Sequence, residues 1–389
     1  MTGTPEGTAV PRPAISGRVA LAHDYLTQRG GAERVVEVLA RAFPRAPIHT
    51  TLFDPAGTFP VFGTLDIRSS PLNRIAMLRT HHRLALPVLA PTVSRMYADA
   101  DVVVASSSGW AHGIRTPGRK VVYCHAPARW LYQRDRYLGA DVDSGGPMSS
   151  RTRMASLALG LLGVPLRRWD LRAARSADRY LANSSATRDA IRAAYGIESE
   201  VLAPPPALLP DGPLEEVPGM APGFLLCVAR LLPYKHVDVV IRAADRLPGE
   251  RVVVVGQGPE RATLQALADR SGATVLLGRA SDAQLRWLYA NCRALVAASY
   301  EDYGLSPLEA AAFGRPTVAL RAGGYLDTVA PGMNGQFFDR VDPDDLARAI
   351  EALDAVAWNE GAIRRHAAGF AEDRFAARLH EIVDEELAR

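Results

Sequence analysis

The segment SYEDYGLSPLEAAAFGRP, Ser299 to Pro316, carries two glutamates eight positions apart, Glu301 and Glu309. Glu301 follows the apolar run ALVAAS, which predicts a buried strand, so it sits on the loop at that strand's carboxyl end. Open α/β sheets bind ligands at that edge, so Glu301 reads as a ligand-binding acid or as an ordinary surface loop glutamate. Gly304 lets the backbone come close to a ligand. Ser306-Pro307-Leu308-Glu309 has capping-box spacing with proline at the first helical position, which predicts a helix running to Phe313 and stopped by Gly314 and Pro316. The amides near Ser306 to Leu308 would then form an anion site. Glu309 reads equally as the helix cap or as a ligand-binding acid. Arg230 and Lys235, in VARLLPYKHVD, follow the apolar run FLLCV; two cations on such a loop are either solvated charges or a clamp on a phosphate or pyrophosphate. VVVVGQGP runs a strand into Gly256 and Gly258 but lacks the third glycine of a dinucleotide fingerprint, which disfavours NAD.

These groups need sheets to position them, and the chain alternates accordingly. RVALAHDYL, IHTTLF, DVVVASSS, KVVYCHA and RYLANS read as strands, with helices at AERVVEVLARAF and over roughly 151–176 and 184–195. A Pro- and Gly-rich stretch, about 203–223, interrupts the alternation. It restarts with FLLCVAR, a helix from about His236, RVVVVGQG, TVLLGR, ALVAAS and PTVALRAGG, and ends on the amphipathic RFAARLHEIVDEELAR. At 389 residues the chain is long for one core. The expectation is an α/β protein of two Rossmann-like, doubly wound domains facing a cleft. The boundaries read as a loose tail 1–16, a first domain 17–205, a linker 206–222, a second domain 223–370 and a terminal helix 371–389.

Taken together and in order, these blocks resemble the retaining glycosyltransferases of family 4, which have the GT-B fold. EDYGLSPLE matches the family's E-x7-E element, and Arg230 with Lys235 its R-x4-K element. GQGP, the strand-to-loop step at Gly278 and RAGGYLDTV match the surrounding blocks; HDYLTQRGGAERV resembles the acceptor-side glycine loop and YCHAPARWLY the His-x-Pro element. The resemblance spans about residues 18 to 389 and is strongest over 224–340. It implies a nucleotide sugar in the second domain. Glu301 would contact hydroxyls of the donor sugar, Glu309 the ribose, and Arg230 and Lys235 the diphosphate. Gly30 and Gly31 would let the first domain's loop approach the reacting centre, and His125 would sit near the sugar. Gly256, Gly258, Gly278, Gly304, Leu305 and Ser306 complete the implied donor side; His23, Asp24, Tyr25 and Arg129 form the implied acceptor side. The resemblance also implies that the C-terminal helix, from about residue 372, crosses back onto the first domain. One departure is Asp327, where the family commonly has Gly-Gly-x-x-Glu; the shorter acid leaves its reach open.

Composition limits the alternatives. The chain is 48% hydrophobic and 22% charged with a net charge of +3, and its basic residues are dispersed, so nucleic acid is not expected as a partner. Cys124, Cys227 and Cys292 stand far apart in apolar runs and read as buried thiols of a reducing, cytoplasmic setting. The N-terminus lacks a signal-peptide core, and no run reaches the roughly 20 apolar residues of a membrane span. No cofactor or metal is expected. Asp141 and Asp143 form an Asp-x-Asp, but in a polar, glycine-rich loop. His81, His82 and His112 show no metal-ligand pattern. His23 and Asp24 are sequence neighbours that can point apart. Trp130, Tyr132 and Tyr137 suit either an acceptor groove or packing. RIAMLRTHHRLALPVL and LGLLGVPLRRWDLRAAR mix Leu with Arg and His, as do peripheral membrane helices serving a lipid-linked acceptor, or helices packed on a sheet. The donor expected is GDP-mannose, with a UDP-hexose as runner-up; the acceptor is a glycan, lipid-linked or small-molecule hydroxyl. A nucleotide-sugar epimerase and a non-catalytic nucleotide-sugar-binding protein are the rival readings.

Overall fold

The computed structural model describes residues 17–80, 85–133 and 163–389. The tail 1–16, His81, His82, Tyr137, the Asp141–Asp143 pair and the start of the 151–176 stretch lie outside the described residues.

Buried β-branched runs make the strands. In the first domain these are β1 (Val19–His23), β2 (Ile48–Thr50), β3 (Ile67–Ser69), β4 (Val102–Ser107), β5 (Arg119–Cys124), β6 (Arg179–Ala182) and β7 (Glu200–Val201). They form one sheet of order β3-β2-β1-β4-β5-β6-β7, with every pair parallel. Continuous burial of Val102 to Ala105 follows from helices covering both faces. The second domain holds β8 (Leu225–Val228), β9 (Val252–Val255), β10 (Thr274–Gly278), β11 (Ala294–Ala297), β12 (Thr317–Leu320) and β13 (Gly335–Phe338). Their order is β10-β9-β8-β11-β12-β13, again all parallel. In both sheets the order reverses beside the first strand, which opens a crevice at the carboxyl edges.

The C-terminal helix, Glu372–Leu387, packs on the first domain. Phe375, Leu379, Ile382 and Val383 join Leu21, Val36 and Val104 in one buried cluster. Arg41 pairs with Glu372 at 2.7 Å, and Arg378 bridges to Glu200 at 2.8 Å. The chain thus crosses the cleft twice. The second domain's strand β13 and the helices Pro343–Glu351 and Glu360–Ala368 were not legible in the periodicity. Among the described residues no helix is long and apolar enough to cross a membrane.

Candidate functional site

Strand β11 delivers the loop Ser299–Gly304 to the crevice. Ser299 Oγ donates to Glu301 Oε1 at 2.9 Å, and Lys235 Nζ makes an ion pair with the same oxygen. Lys235 comes from the loop after β8, so two strand exits meet at one carboxylate. Arg230 on that loop is exposed, and among the described residues its guanidinium makes no hydrogen bond or ion pair. Its loop rests on the β9 exit: Ala229 N–H donates to Val255 O at 3.0 Å and Leu231 N–H to Gln257 O at 3.0 Å. A Cβ on Gly256 or Gly258 would collide with the Ala229 or Leu231 carbonyl. These two glycines therefore shape the Arg230 loop. Gly278, at φ +79, ends β10 and receives the Gly256 N–H on its carbonyl at 2.8 Å.

The helix after Glu301 starts earlier than its capping-box spacing predicts. It spans Leu305–Ala312, its N-cap is Gly304 at φ +86, and no side chain caps it. Ser306 lies in the first turn and Pro307 at the third position, where an amide proton has no intrahelical acceptor to lose. The first-turn backbone donors at Leu305 and Ser306 are thus left without a side-chain acceptor, facing the crevice end of the helix. Glu309 is not a cap. Its Oε2 accepts from Tyr289 Oη at 2.8 Å, and burial raises its carboxyl above the ordinary range. Gly304 has a packing reason as well, since a Cβ there would strike the Tyr325 ring.

The first domain closes on this loop. Arg129, opening the short helix Arg129–Tyr132, forms an ion pair with buried Asp302. Burial opposes the Arg129 charge, but Asp302 and Glu301 beside it hold the guanidinium more firmly protonated. Tyr303 Oη donates to Pro204 O at 2.7 Å. Gly31 lies against Leu305, its would-be Cβ 3.2 Å from Leu305 Cδ1. Arg34, three residues on, reaches Asp282 of the second domain at 3.2 Å. A small crevice beside the Glu301 loop is lined by Arg34, Val38, Arg41, Pro205 and Leu305. Asp327 reaches across the cleft: its carboxylate accepts the Ser185 N–H at 2.6 Å and the Ser185 hydroxyl at 2.6 Å. The shorter acid therefore serves the N-terminus of the helix Ser185–Tyr195 in the other domain.

His23 and Asp24 do point apart. Asp24 accepts the backbone N–H groups of Ser108, Trp110 and Ala111 at 2.6, 2.8 and 2.6 Å, bracing the loop after β4. His23 Nδ1 lies 3.1 Å from Ser106 Oγ, which lies 2.8 Å from His125 Nε2. His125 follows β5 and is 7% exposed. Burial, with His23 and Arg129 nearby, lowers its pKa to about 3, so it is neutral at pH 7. Tyr25 packs at the edge of the core containing Leu52 and Leu89.

Trp130 and Tyr132 both pack on other aromatic rings. Trp130 lies 4.5 Å from the Trp110 ring, and Tyr132 meets Tyr195 edge-on at 5.6 Å. His112 is buried, with Nε2 at 3.0 Å from Asp170 and Nδ1 at 3.0 Å from Ser107 Oγ. The order Ser-His-Asp suggests a hydrolytic triad, but all three are at most 2% exposed, which denies an ester or peptide any approach. Among the described residues no three His, Cys, Asp or Glu side chains gather as a metal site, and the three cysteines are buried and free. Periodicity also passed over Ser106, Asp302 and Glu33. Ser106 and Asp302 have only their place at a strand exit as a signal; Glu33 follows the glycine pair within GGAER.

Residues 29–205 match the family model described as Glycosyltransferase Family 4, and residues 217–354 match Glycosyl transferases group 1. The D-inositol 3-phosphate glycosyltransferase of Mycolicibacterium smegmatis is 38% identical over 138 residues, covering 33% of this chain and 32% of that protein. The glycogen synthase of Thermus thermophilus is 31% identical over 175 residues, 43% of this chain and 40% of that protein. The matches thus span about a third to two fifths of these relatives' length. Among solved structures, Anabaena HepE in complex with UDP-glucose superposes with a TM-score of 0.66 at 19% identity, covering 95% of this chain and 100% of that one. WaaG, a glycosyltransferase involved in lipopolysaccharide biosynthesis, gives 0.60 at 18% identity, covering 94% and 99%. The architecture is therefore GT-B.

Proposed function

We propose, for a chain whose two halves belong to the glycosyltransferase family 4 and group 1 families, that it moves a hexose from a nucleoside-diphosphate sugar to an acceptor hydroxyl with retention at the anomeric carbon. The observation that carries this reading is the Glu301 carboxylate, fixed by Ser299 and Lys235 at the β11 exit and set beside an uncapped helix N-terminus. Its second oxygen would accept from the donor sugar's hydroxyls. The helix N-terminus at Leu305 and Ser306, with Arg230 and Lys235, suits a diphosphate.

The difficult step is loss of the diphosphate from an oxocarbenium-like centre. The C1–O bond to the β-phosphate breaks with its electron pair on the phosphate oxygen. Arg230, Lys235 and the helix N-terminus stabilise that charge. The acceptor oxygen bonds to C1 on the same face, and its proton passes to the departing phosphate oxygen. Glu301 positions the sugar in this scheme and forms no covalent intermediate. The scheme asks for no metal ion. On this reading Glu309, whose carboxylate accepts from the buried Tyr289 hydroxyl, would hold the ribose.

The donor favoured is GDP-mannose, on the likeness of HDYLTQRGGAERVVE to bacterial polysaccharide enzymes. UDP-glucose is the second reading, favoured by the UDP-glucose complex of HepE. The acceptor is a glycan, lipid-linked or small-molecule hydroxyl, and the lipid-linked case would bring the enzyme to the cytoplasmic face of a membrane. A thermal-shift panel without added metal tests the donor: GDP-mannose, GDP, UDP-glucose, UDP-N-acetylglucosamine, UDP and TDP-glucose. A ligand at about 100 times its Kd stabilises by about 2.7 kcal/mol. A shift confined to guanine nucleotides supports mannose; one confined to uracil nucleotides transfers the assignment to a UDP-hexose. No shift with any of them removes the nucleotide-sugar reading.

A further inference from the structure

A run of buried polar groups lies behind His125. His23 and Ser106 are register partners on the parallel strands β1 and β4, so their side chains stand at one level of the sheet edge. His23 Nδ1 lies 3.0 Å from the Ser106 carbonyl oxygen and 3.1 Å from its hydroxyl. A carbonyl only accepts, so Nδ1 carries a proton. On the other side Nε2 faces Glu33 Oε1 at 3.9 Å. Glu33 is 1% exposed; Gln28 Nε2 donates to its Oε1 at 3.0 Å, and its Oε2 has no partner among the described residues. His23 thus has Nδ1 within hydrogen-bond distance of an obligatory acceptor and Nε2 within ion-pair distance of a buried carboxylate, a setting that favours the imidazolium. The spacing Gly30-x-x-Glu33 is part of this arrangement, since a Cβ at position 30 would lie 2.6 Å from Glu33 Oε2.

Protons can be followed from there. With His23 Nδ1 protonated, Ser106 Oγ can accept there and give its own proton to His125 Nε2, 2.8 Å away. A ring nitrogen that accepts is unprotonated, and a neutral imidazole then carries its proton on Nδ1. The charged groups around His23 are few. Asp24 on its own strand is taken up by three backbone amides, Glu33 faces it from the helix Gly31–Ala42, and Arg129 stands beyond His125. A second cation at His125 would have no carboxylate of its own.

We propose that Glu33 is a positioning residue: it holds His23 as a buried imidazolium, and through the Ser106 hydroxyl this cation locks His125 as the neutral Nδ1–H tautomer. His125 then offers the donor sugar a hydrogen-bond donor of fixed direction. The role toward sugar rests on the glycosyl-transfer reading; the protonation pattern does not. The test is long-range proton–nitrogen NMR on the full chain with [15N]histidine, with signals assigned by His23→Gln and His125→Gln. The expected result at pH 7 is two protonated nitrogens on His23, and on His125 a protonated Nδ1 with a bare Nε2. A neutral His23, or a protonated His125 Nε2, overturns the proposal whatever the enzyme's activity. Glu33→Gln is expected to make His23 neutral at pH 7. Glu33→Gln and Ser106→Ala are expected to lower kcat for sugar transfer by up to about 10²-fold, the scale of a misplaced contact, with the donor KM little changed. Ser106→Thr, which keeps the hydroxyl, is expected to recover most of that loss. Variants that turn over like the wild type overturn the positioning role. The expected NMR pattern in a wild-type protein that transfers no sugar instead overturns the glycosyl-transfer reading, and the role toward sugar falls with it.

Discussion

Two histidines at one sheet edge meet opposite electrostatic surroundings. Burial lowers the pKa of both, but Glu33 and Asp24 outweigh it for His23, whose pKa is raised, whereas His23 and Arg129 reinforce it for His125. The signs follow from proton linkage. Unfolded His125 titrates near 6.5 and folded His125 at about 3, so between these values the unfolded chain binds more protons. His125 therefore costs stability as pH falls through that window. His23 has the opposite sign: its contribution is full below about 6.5 and is lost as pH rises through its raised folded value. Urea unfolding at pH 7 and pH 5 checks the first claim. His125→Gln should lose less stability than wild type between the two, and an equal loss would contradict it. Arg230 gives a cleaner separation of binding from folding. It is exposed and unpaired among the described residues, so Arg230→Ala should leave the Tm within a degree or so of wild type while weakening nucleotide binding about tenfold or more. Calorimetric titration with the nucleoside diphosphate measures this. Of these residues, Glu301, Arg230 and Lys235 were legible because strand exits are marked by the apolar runs before them. Ser106 and Glu33 were not, because their importance lies in which neighbours the sheet register brings to them.

At the scale of elements, the long buried runs announced their strands. DVVVASSS became β4, KVVYCHA became β5 and VVVV became β9. Three edge strands did not announce themselves. Ile67–Ser69 and Glu200–Val201 form the sheet's two edges, and Gly335–Phe338 edges the other sheet with a glycine and a glutamine. Edge strands are covered on fewer sides, so their composition carries less of the pattern. Ser306 and Glu309 have capping-box spacing, yet tertiary contacts decided otherwise: Gly304 takes the left-handed cap position, and Glu309 turns to Tyr289. The Gly323-Gly324 pair after β12 lies directly on the Glu301 loop, with Gly324 N–H donating to Glu301 O at 2.8 Å. A Cβ at either position would meet the loop's backbone. Gly324→Ala should therefore displace the loop, lowering kcat by about 10²-fold or more, with a stability loss of about 1–3 kcal/mol. Turnover kinetics beside urea unfolding would show it; wild-type kinetics would mean that the loop has slack.

Across the whole molecule, the cleft is tied at several points: Arg129 to Asp302, Arg34 to Asp282, and Ser185 to Asp327. All three join the domains on the side where Glu301 lies. None was visible in sequence, because each pairs residues more than a hundred positions apart. The C-terminal helix is a larger tie. Phe375, Leu379, Ile382 and Val383 are buried in the first domain's core. At about 1.5–3 kcal/mol each, their burial amounts to roughly 6–12 kcal/mol, comparable to the whole stability of a domain. Ending the chain after residue 371 should therefore unfold the first domain, seen as loss of its cooperative calorimetric transition. A truncated chain with an unchanged transition would show that the helix is dispensable.

We propose that the Glu301 site breaks the bond between a sugar and a nucleoside diphosphate. The most direct measurement is release of nucleoside diphosphate from the donor that gives a thermal shift, compared between wild type and Glu301→Ala. Steady release by the wild type, enhanced by an acceptor hydroxyl, is expected, with a loss of about 10²–10³-fold in the variant while nucleotide binding and Tm are retained. Equal release by both proteins would contradict it, because the carboxylate that Ser299 and Lys235 hold in place would then have no part in the reaction.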